Sequence, residues 1–223
     1  LSCVPSRVCL NKRNSKGDEM ISGISEMPIT DESYPFSSAE RYCHLSAKGY
    51  VEREYRVDGT ANVYRTADED GGVEVMTADA PYSNRIVVRA PKDPAQASGN
   101  VVVEIINPTS FMEIERMWIL GYGEFVRSGD IYVGITSKPN TIAKLKEFNP
   151  DRYGFMSWAN PTPERPFDYD PKQLERGGAL PDMDISYETG LFWDMLTDLA
   201  WLLRGDSDLN PIRDYPRQAI CLT

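Results

Sequence analysis

Two stretches of the chain are almost continuously apolar and β-branched, and they constrain the fold more than any other feature. Residues 101–106 read Val-Val-Val-Glu-Ile-Ile, and residues 130–136 form the second stretch. Such runs are typical of strands that are buried on both faces of a parallel sheet. Between them, apolar residues from Met112 to Val126 recur at roughly helical spacing, and Gly129 suits a helix end. This succession predicts a right-handed βαβ unit and an α/β fold with a mostly parallel sheet.

The residues before this unit show the shorter period of antiparallel strands. In residues 50–57, Tyr and Val positions alternate with Glu52, Glu54 and Arg56, which predicts a strand with one solvated face. We expect Gly59 to end this strand. Further short strands are predicted at 61–65, 73–77 and 85–90, with a turn at 68–72. These hairpin-like strands are expected to form antiparallel edge strands of the sheet.

The second half of the chain contains two further predicted helices and a last strand. Residues 141–148 predict a short helix, and residues 187–204 predict the clearest helix, with a leucine-rich apolar face. Residues 218–223 predict a short buried strand, with Cys221 as a small core residue. Pro-rich and aromatic sequence fills the interval, and we interpret it as an insertion at about 149–186.

The domain organisation follows from where periodic apolar residues occur. Residues 1–35 predict an N-terminal arm, whereas residues 36–223 predict part of a single domain. The net charge of −10 argues against a nucleic-acid partner and against binding to an anionic membrane surface. No apolar run approaches the ~20 residues that a membrane-spanning helix needs. The four cysteines leave the compartment open, and a disulfide between Cys43 and either Cys3 or Cys9 is one alternative.

Five stretches, taken in their order and spacing, carry a resemblance to a known family. They are Gly49–Tyr55, Gly59–Tyr64, Ala80–Arg89, Gly99–Glu104 with Asn107, and Leu145–Tyr153. Together they resemble a little-characterised family of predicted serine esterases with the α/β-hydrolase fold, from about residue 28 to the end of the sequence. The resemblance implies a carboxyl-ester hydrolase that acts through an acyl-enzyme on a small-molecule ester, with no cofactor.

The resemblance also implies where the catalytic serine lies. In this fold a strand in the position of residues 218–223 runs into a nucleophile elbow, Gly-x-Ser-x-Gly, and the acid and the histidine follow later. No Gly-x-Ser-x-Gly occurs in the 223 residues. We therefore expect all three catalytic residues after Thr223, and a C-terminal complement of the same protein as a partner. The alternative is a non-catalytic binding or assembly protein with an α/β-hydrolase-like fold.

The loop after the first buried strand is the candidate oxyanion site that the resemblance implies. One oxyanion N–H of an α/β-hydrolase comes from the loop after its third strand, which here is Asn107–Phe111. Pro108 has no N–H, so the backbone of Thr109 or Ser110 is the candidate donor. Asn107 and Phe111 are candidate substrate contacts. The alternative is an ordinary turn between strand and helix, in which Ser110 caps the helix.

Other side chains are expected near the same cleft, because ligands in open α/β sheets bind beyond the carboxyl ends of strands. Ser137 and Lys138 follow the second buried strand, although Lys138 also suits a solvated loop position. Trp158 lies in the Pro-rich insertion, whose aromatic residues either cover the cleft or pack on one another in a long loop. His44, the only histidine, precedes the main strands, and we interpret it as structural. The spacing of His and Cys fits no zinc site.

Overall fold

The computed structural model describes residues 20–34, 39–67, 72–109, 112–163 and 186–223. These residues form a mixed six-stranded sheet with the order β1-β2-β3-β5-β4-β6. Its strands are β1 (Ile21–Met27), β2 (Tyr50–Thr66), β3 (Val73–Pro91), β4 (Asn100–Ile105), β5 (Ile131–Ile135) and β6 (Ala219–Leu222). The helices are α1 (Ala39–Cys43), α2 (Arg116–Ser128), α3 (Pro139–Phe148), α4 (Pro150–Tyr153) and α5 (Leu191–Arg204).

The βαβ unit predicted from the two apolar runs is present. α2 connects β4 to β5, and these strands pair in parallel from Val101–Ile131 to Ile105–Ile135. β6 pairs in parallel on the other side of β4. β1, β2 and β3 pair antiparallel in sequence order, and β3 joins β5 in the antiparallel sense. The predicted α/β class with antiparallel edge strands is confirmed.

β2 and β3 form one long hairpin rather than the four short strands expected from the sequence. Gly59 does not end β2, because it pairs with Tyr82 inside the hairpin. A Cβ at position 59 would lie 2.5 Å from the carbonyl oxygen of Met20 and 2.8 Å from the hydroxyl of Tyr82. Gly59 therefore marks a close approach of neighbouring chain segments. Since Ile86 pairs with Ile135, the outer part of the hairpin extends beyond the carboxyl end of β5.

Both edges of the described sheet differ from what the sequence alone indicated. β1 lies within the range predicted as an N-terminal arm, and its mixture of apolar and polar residues suits a half-exposed edge strand. The expectation that the last strand is buried is wrong, since Leu222 is 57% exposed, and Cys221 is only partly buried. The reason is that β6 has one neighbour, β4, among the described strands. The division into arm, domain and insertion stays a prediction.

Apolar side chains pack on both faces of the sheet. Val133 of β5 belongs to a large buried cluster that also contains Leu199 of α5. Tyr132 points to the opposite face, because successive side chains of a strand alternate, and its ring centroid lies 5.1 Å from that of Trp118 in α2. The sheet therefore lies between α2 on one face and α5 on the other. Among the described helices, none has the length and apolar character needed to cross a membrane.

Candidate active site

The loop between β4 and α2 is closed by its own backbone. Asn107 and Ile114 exchange two hydrogen bonds, from the Asn107 N–H at 3.2 Å and from the Ile114 N–H at 2.9 Å. The N–H of Thr109 donates to Oδ1 of Asn107 at 2.8 Å, which is a turn stabilised by the Asn side chain. The candidate donor N–H of Thr109 is therefore engaged within the loop. Ser110 and Phe111 lie outside the described residues.

Ser137 connects the end of β5 with the start of this loop. Its side chain is buried, and its hydroxyl donates to the carbonyl of Ile106 at 2.6 Å. Ile106 immediately precedes Asn107, so the structure brings these two predicted site residues to one edge of the sheet. Lys138 is exposed and directly precedes α3. The side chain of Asn140 in α3 donates to the carbonyl of Pro108 at 3.5 Å.

Trp158 has the position of a core side chain. It is 0% exposed, and its ring stacks on Phe192 of α5 with 5.8 Å between the centroids. Its Nε1 has no hydrogen-bond partner among the described residues. In this arrangement a substrate does not reach the ring, and the assignment of Trp158 to substrate binding stays a prediction.

His44 lies away from the loop. It is exposed and precedes a 3₁₀ turn at Leu45–Lys48 that leads into β2. At the start of β2, the Tyr50 hydroxyl donates to the carbonyl of Asp130, which precedes β5. His44 is therefore near the amino ends of the parallel strands, whereas the loop lies at their carboxyl ends. In the described ranges, no three His, Cys, Asp or Glu residues are grouped to hold a metal ion.

A buried guanidinium lies beneath the loop, and the sequence analysis did not find it. The Arg85 side chain is 0% exposed and donates to the carboxylates of Glu54 and Glu113. Arg152 of α4 donates to the second oxygen of Glu54. Burial lowers the pKa of the Arg85 guanidinium, but the carboxylates of Glu113 and Glu54 raise it above its usual value. Arg85 is therefore positively charged. It binds Glu113, the residue before Ile114, which closes the loop on Asn107.

A second buried guanidinium follows on the same strand. Arg89 donates to Glu52 at 2.5 Å and to both oxygens of Glu115 at 2.8 and 2.9 Å. Its guanidinium lies 4.6 Å from the ring centroid of Trp118, a favourable cation–π contact. Burial raises the pKa of the Glu115 carboxyl to about 7, although the neighbouring Arg89 lowers it.

The start of α2 is held by a further buried carboxylate, that of Glu104. Glu104 of β4 accepts the N–H groups of Met117 and Trp118 at 3.0 and 3.2 Å, and the Tyr132 hydroxyl at 2.7 Å. It thereby satisfies two of the N–H groups that a helix leaves unpaired at its N-terminus. The loop consequently has fixed elements at both ends.

The expectation of a solvated face on β2 is wrong for Glu52 and Glu54, whereas the Arg56 side chain is 41% exposed. Glu54 is 0% exposed, and the side chain of Glu52 is 3% exposed. Glu54 and Glu52 are buried because they bind Arg85 and Arg89 of β3, whose side chains are themselves buried. The hairpin register pairs Glu52 directly with Arg89. Alternating acids on one strand and bases on the next were the signal that could have identified these pairs.

Comparison with known proteins identifies a family for most of the chain. The sequence model of a family described as alpha/beta hydrolase domain matches residues 24–223. A search of curated proteins and a search of solved structures found no match. The matched range contains the loop that starts at Asn107, both buried arginines, and the strand ends that meet beside them.

Proposed function

The chain belongs to the alpha/beta hydrolase domain family, and from that membership we propose that it is the N-terminal portion of a serine carboxyl-ester hydrolase. The observation that supports this most directly is the meeting of strand ends at one edge of the sheet. Asn107 follows β4, Ser137 follows β5, and the Ser137 hydroxyl is bonded to the carbonyl of Ile106. Ligands of open α/β sheets bind beyond the carboxyl ends of strands. A small-molecule ester would lie over this edge.

β6 contributes a third strand end to the same edge. The N–H of Thr223 donates to the carbonyl of Val103 at 2.9 Å, and its carbonyl accepts from Ile105 at 3.2 Å. A nucleophile elbow after Thr223 in the full-length protein would therefore begin beside Asn107. We propose that its serine attacks the ester carbonyl while a histidine, oriented by an acid, takes the proton. The protonated histidine gives that proton to the alcohol as the ester C–O bond breaks, and water then hydrolyses the acyl-enzyme to release the acid and restore the serine.

The loop would supply hydrogen-bond donors to the oxyanion. The candidates are the backbone N–H groups of Thr109 and Ser110. The Thr109 N–H is bonded to the neutral amide oxygen of Asn107, and a charged oxyanion is a stronger acceptor. The N–H would therefore leave Asn107 for the oxyanion as the tetrahedral intermediate forms.

The proposed substrate contacts differ in how directly they reach this edge. Asn107 and Lys138 are at least partly accessible there, and Ser137 lies beneath them. Phe111 is a further proposed contact. Trp158 would contact a substrate only after leaving its place in the core.

The test uses the full-length protein, a serine-directed fluorophosphonate and an aryl ester. We expect one labelled serine, outside residues 1–223, and loss of ester hydrolysis in parallel with labelling. Hydrolysis should survive a chelator. A labelled serine within residues 1–223, or hydrolysis abolished by the chelator alone, would contradict the proposal. A folded protein that is neither labelled nor active would instead favour a binding or assembly role.

A further inference from the structure

The far end of the candidate oxyanion loop is held by a buried carboxylate. Glu113 precedes Ile114, which closes the loop on Asn107 through two backbone hydrogen bonds. The Glu113 side chain is 2% exposed, and its Oε2 accepts from Nη1 of Arg85. Arg85 belongs to β3, so the loop between β4 and α2 is tied directly to a third strand.

Arg85 is itself fixed from another side. Its Nε donates to Oε1 of Glu54 on β2, and Oε2 of Glu54 accepts from Arg152 of α4. Arg152 also donates to the carbonyl of Pro28, which follows β1, at 3.0 Å. The chain Glu113–Arg85–Glu54–Arg152 contains two cations and two carboxylates. Its charges therefore compensate one another, and it links the loop to three other elements.

Stability alone is a weak reason to bury such a chain. The desolvation of two charges offsets much of their attraction, so a buried ion pair is seldom more stabilising than apolar residues of the same size. A charge-assisted hydrogen bond does fix the direction between its two groups. Catalytic geometry depends on such direction, because a displacement of about 1 Å can lower a rate about 10²-fold.

We propose that Glu113 and Arg85 are positioning residues, which hold Ile114 and, through its bridge to Asn107, keep the N–H of Thr109 beside the proposed oxyanion. Neither side chain touches the substrate. Both act through the loop backbone, Glu113 as the anchor and Arg85 as its fixed partner in the sheet. This inference rests on the proposed ester hydrolysis and assigns to it two residues outside the triad and the oxyanion donors.

The test compares Glu113→Gln with Glu52→Gln in the full-length protein. The variants are matched, because each removes the charge of a buried carboxylate that binds an arginine of β3. Glu52 lies on β2 and bonds to Arg89 and to the N–H of Ala39. It reaches the end of the loop only through Arg89, whose bonds to Glu115 stay in place in Glu52→Gln. We expect Glu113→Gln to lower kcat about tenfold or more with KM changed less than about threefold, and Glu52→Gln to leave kcat within about twofold. Glu113→Asp, which keeps the charge, should recover part of kcat.

Hydrogen exchange separates this inference from the proposed function. In Glu113→Gln, peptides that cover Asn107–Ile114 should exchange at least about tenfold faster than in the wild type, and in Glu52→Gln they should not. If the wild type hydrolyses no ester, the proposed function fails, and exchange still decides whether Glu113 holds the loop. Should Glu113→Gln not fold, Glu113→Asp is measured against Glu52→Asp. Unchanged loop exchange in the folded variant, or equal kcat losses in the matched pair, would overturn the inference.

Discussion

Replacement of Arg85 by methionine tests what the buried charges contribute to stability. The substitution removes a fully buried guanidinium and leaves Glu113 without its cation, whereas Glu54 keeps Arg152. Removing one partner of a buried ion pair costs about 3–5 kcal/mol, because the remaining charge is uncompensated. We therefore expect the free energy of unfolding of Arg85→Met to fall by about 3–5 kcal/mol.

The double variant Arg85→Met/Glu113→Leu gives the sharper result. It removes both charges of the pair and leaves the pair between Glu54 and Arg152 in place. Apolar residues that replace a whole buried ion pair are often neutral or stabilising. The double variant should therefore recover most of the loss and return to within about 1 kcal/mol of the wild type.

Urea denaturation followed by tryptophan fluorescence measures these changes, because Trp118 and Trp158 are fully buried and become exposed on unfolding. Arg127→Met is the surface control. It removes one partner of an exposed pair with Glu124 on α2, and such pairs contribute little. The reasoning is refuted if Arg85→Met shifts the denaturation midpoint no more than the control does. It is also refuted if the double variant is less stable than the single one.

Three further predictions concern the loop, a buried carboxyl and the long hairpin. Thr109→Pro in the full-length protein should lower kcat about 10²–10³-fold by deleting a donor N–H, and unchanged turnover in a folded variant would leave Ser110 as the donor. Burial raises the pKa of Glu115 from 4.5 to about 7, so its protonated form favours the fold, and stability should fall as pH rises between these values. Glu115→Gln should flatten that dependence in urea titrations, and a flat wild-type profile would contradict it. Gly59→Ala places a Cβ 2.5 Å from a backbone carbonyl oxygen and should lower the free energy of unfolding by about 1–3 kcal/mol. Gly123→Ala, with open space around it, is the control and should not lower it.

The parallel part of the sheet was predictable because burial leaves a strong compositional signal. Residues 101–106 and 130–136 are apolar at nearly every position, and the structure has strands at Asn100–Ile105 and Ile131–Ile135. The hairpin was less predictable, because Gly59 serves a close chain approach instead of a turn. The sequence alone does not distinguish a glycine in a turn from a glycine at a close approach of two chain segments.

Of the candidate site, the sequence predicts only which loop of the chain forms it. The order of strands in the family identifies the loop that starts at Asn107. The ion pairs that support it join Arg85 to Glu113 and Glu54 to Arg152, which are 28 and 98 positions apart in the sequence. Local periodicity contains no information about contacts at that distance. It therefore predicted solvent for acidic positions that the fold buries.

The start of α2 is the clearest case in which tertiary contacts override local spacing. Apolar periodicity predicts helix from Met112 onward, but α2 begins at Arg116. The carboxylate of Glu104 then accepts the N–H groups of the first helical turn, including that of Met117. The residues before Arg116 are thereby left outside the helix, and they lengthen the loop that follows β4.

α2 begins only at Arg116 because two acidic side chains before it must both point toward β3. Glu113 and Glu115 flank Ile114, which is bridged to Asn107 as in a strand, and they bind Arg85 and Arg89, respectively. Residues two positions apart point to the same side of an extended chain, but about 200° apart around a helix. A helix that began at 112 could not direct both carboxylates to β3. The two buried ion pairs therefore require a non-helical backbone at 113–115, and the same requirement sets the length of the candidate oxyanion loop.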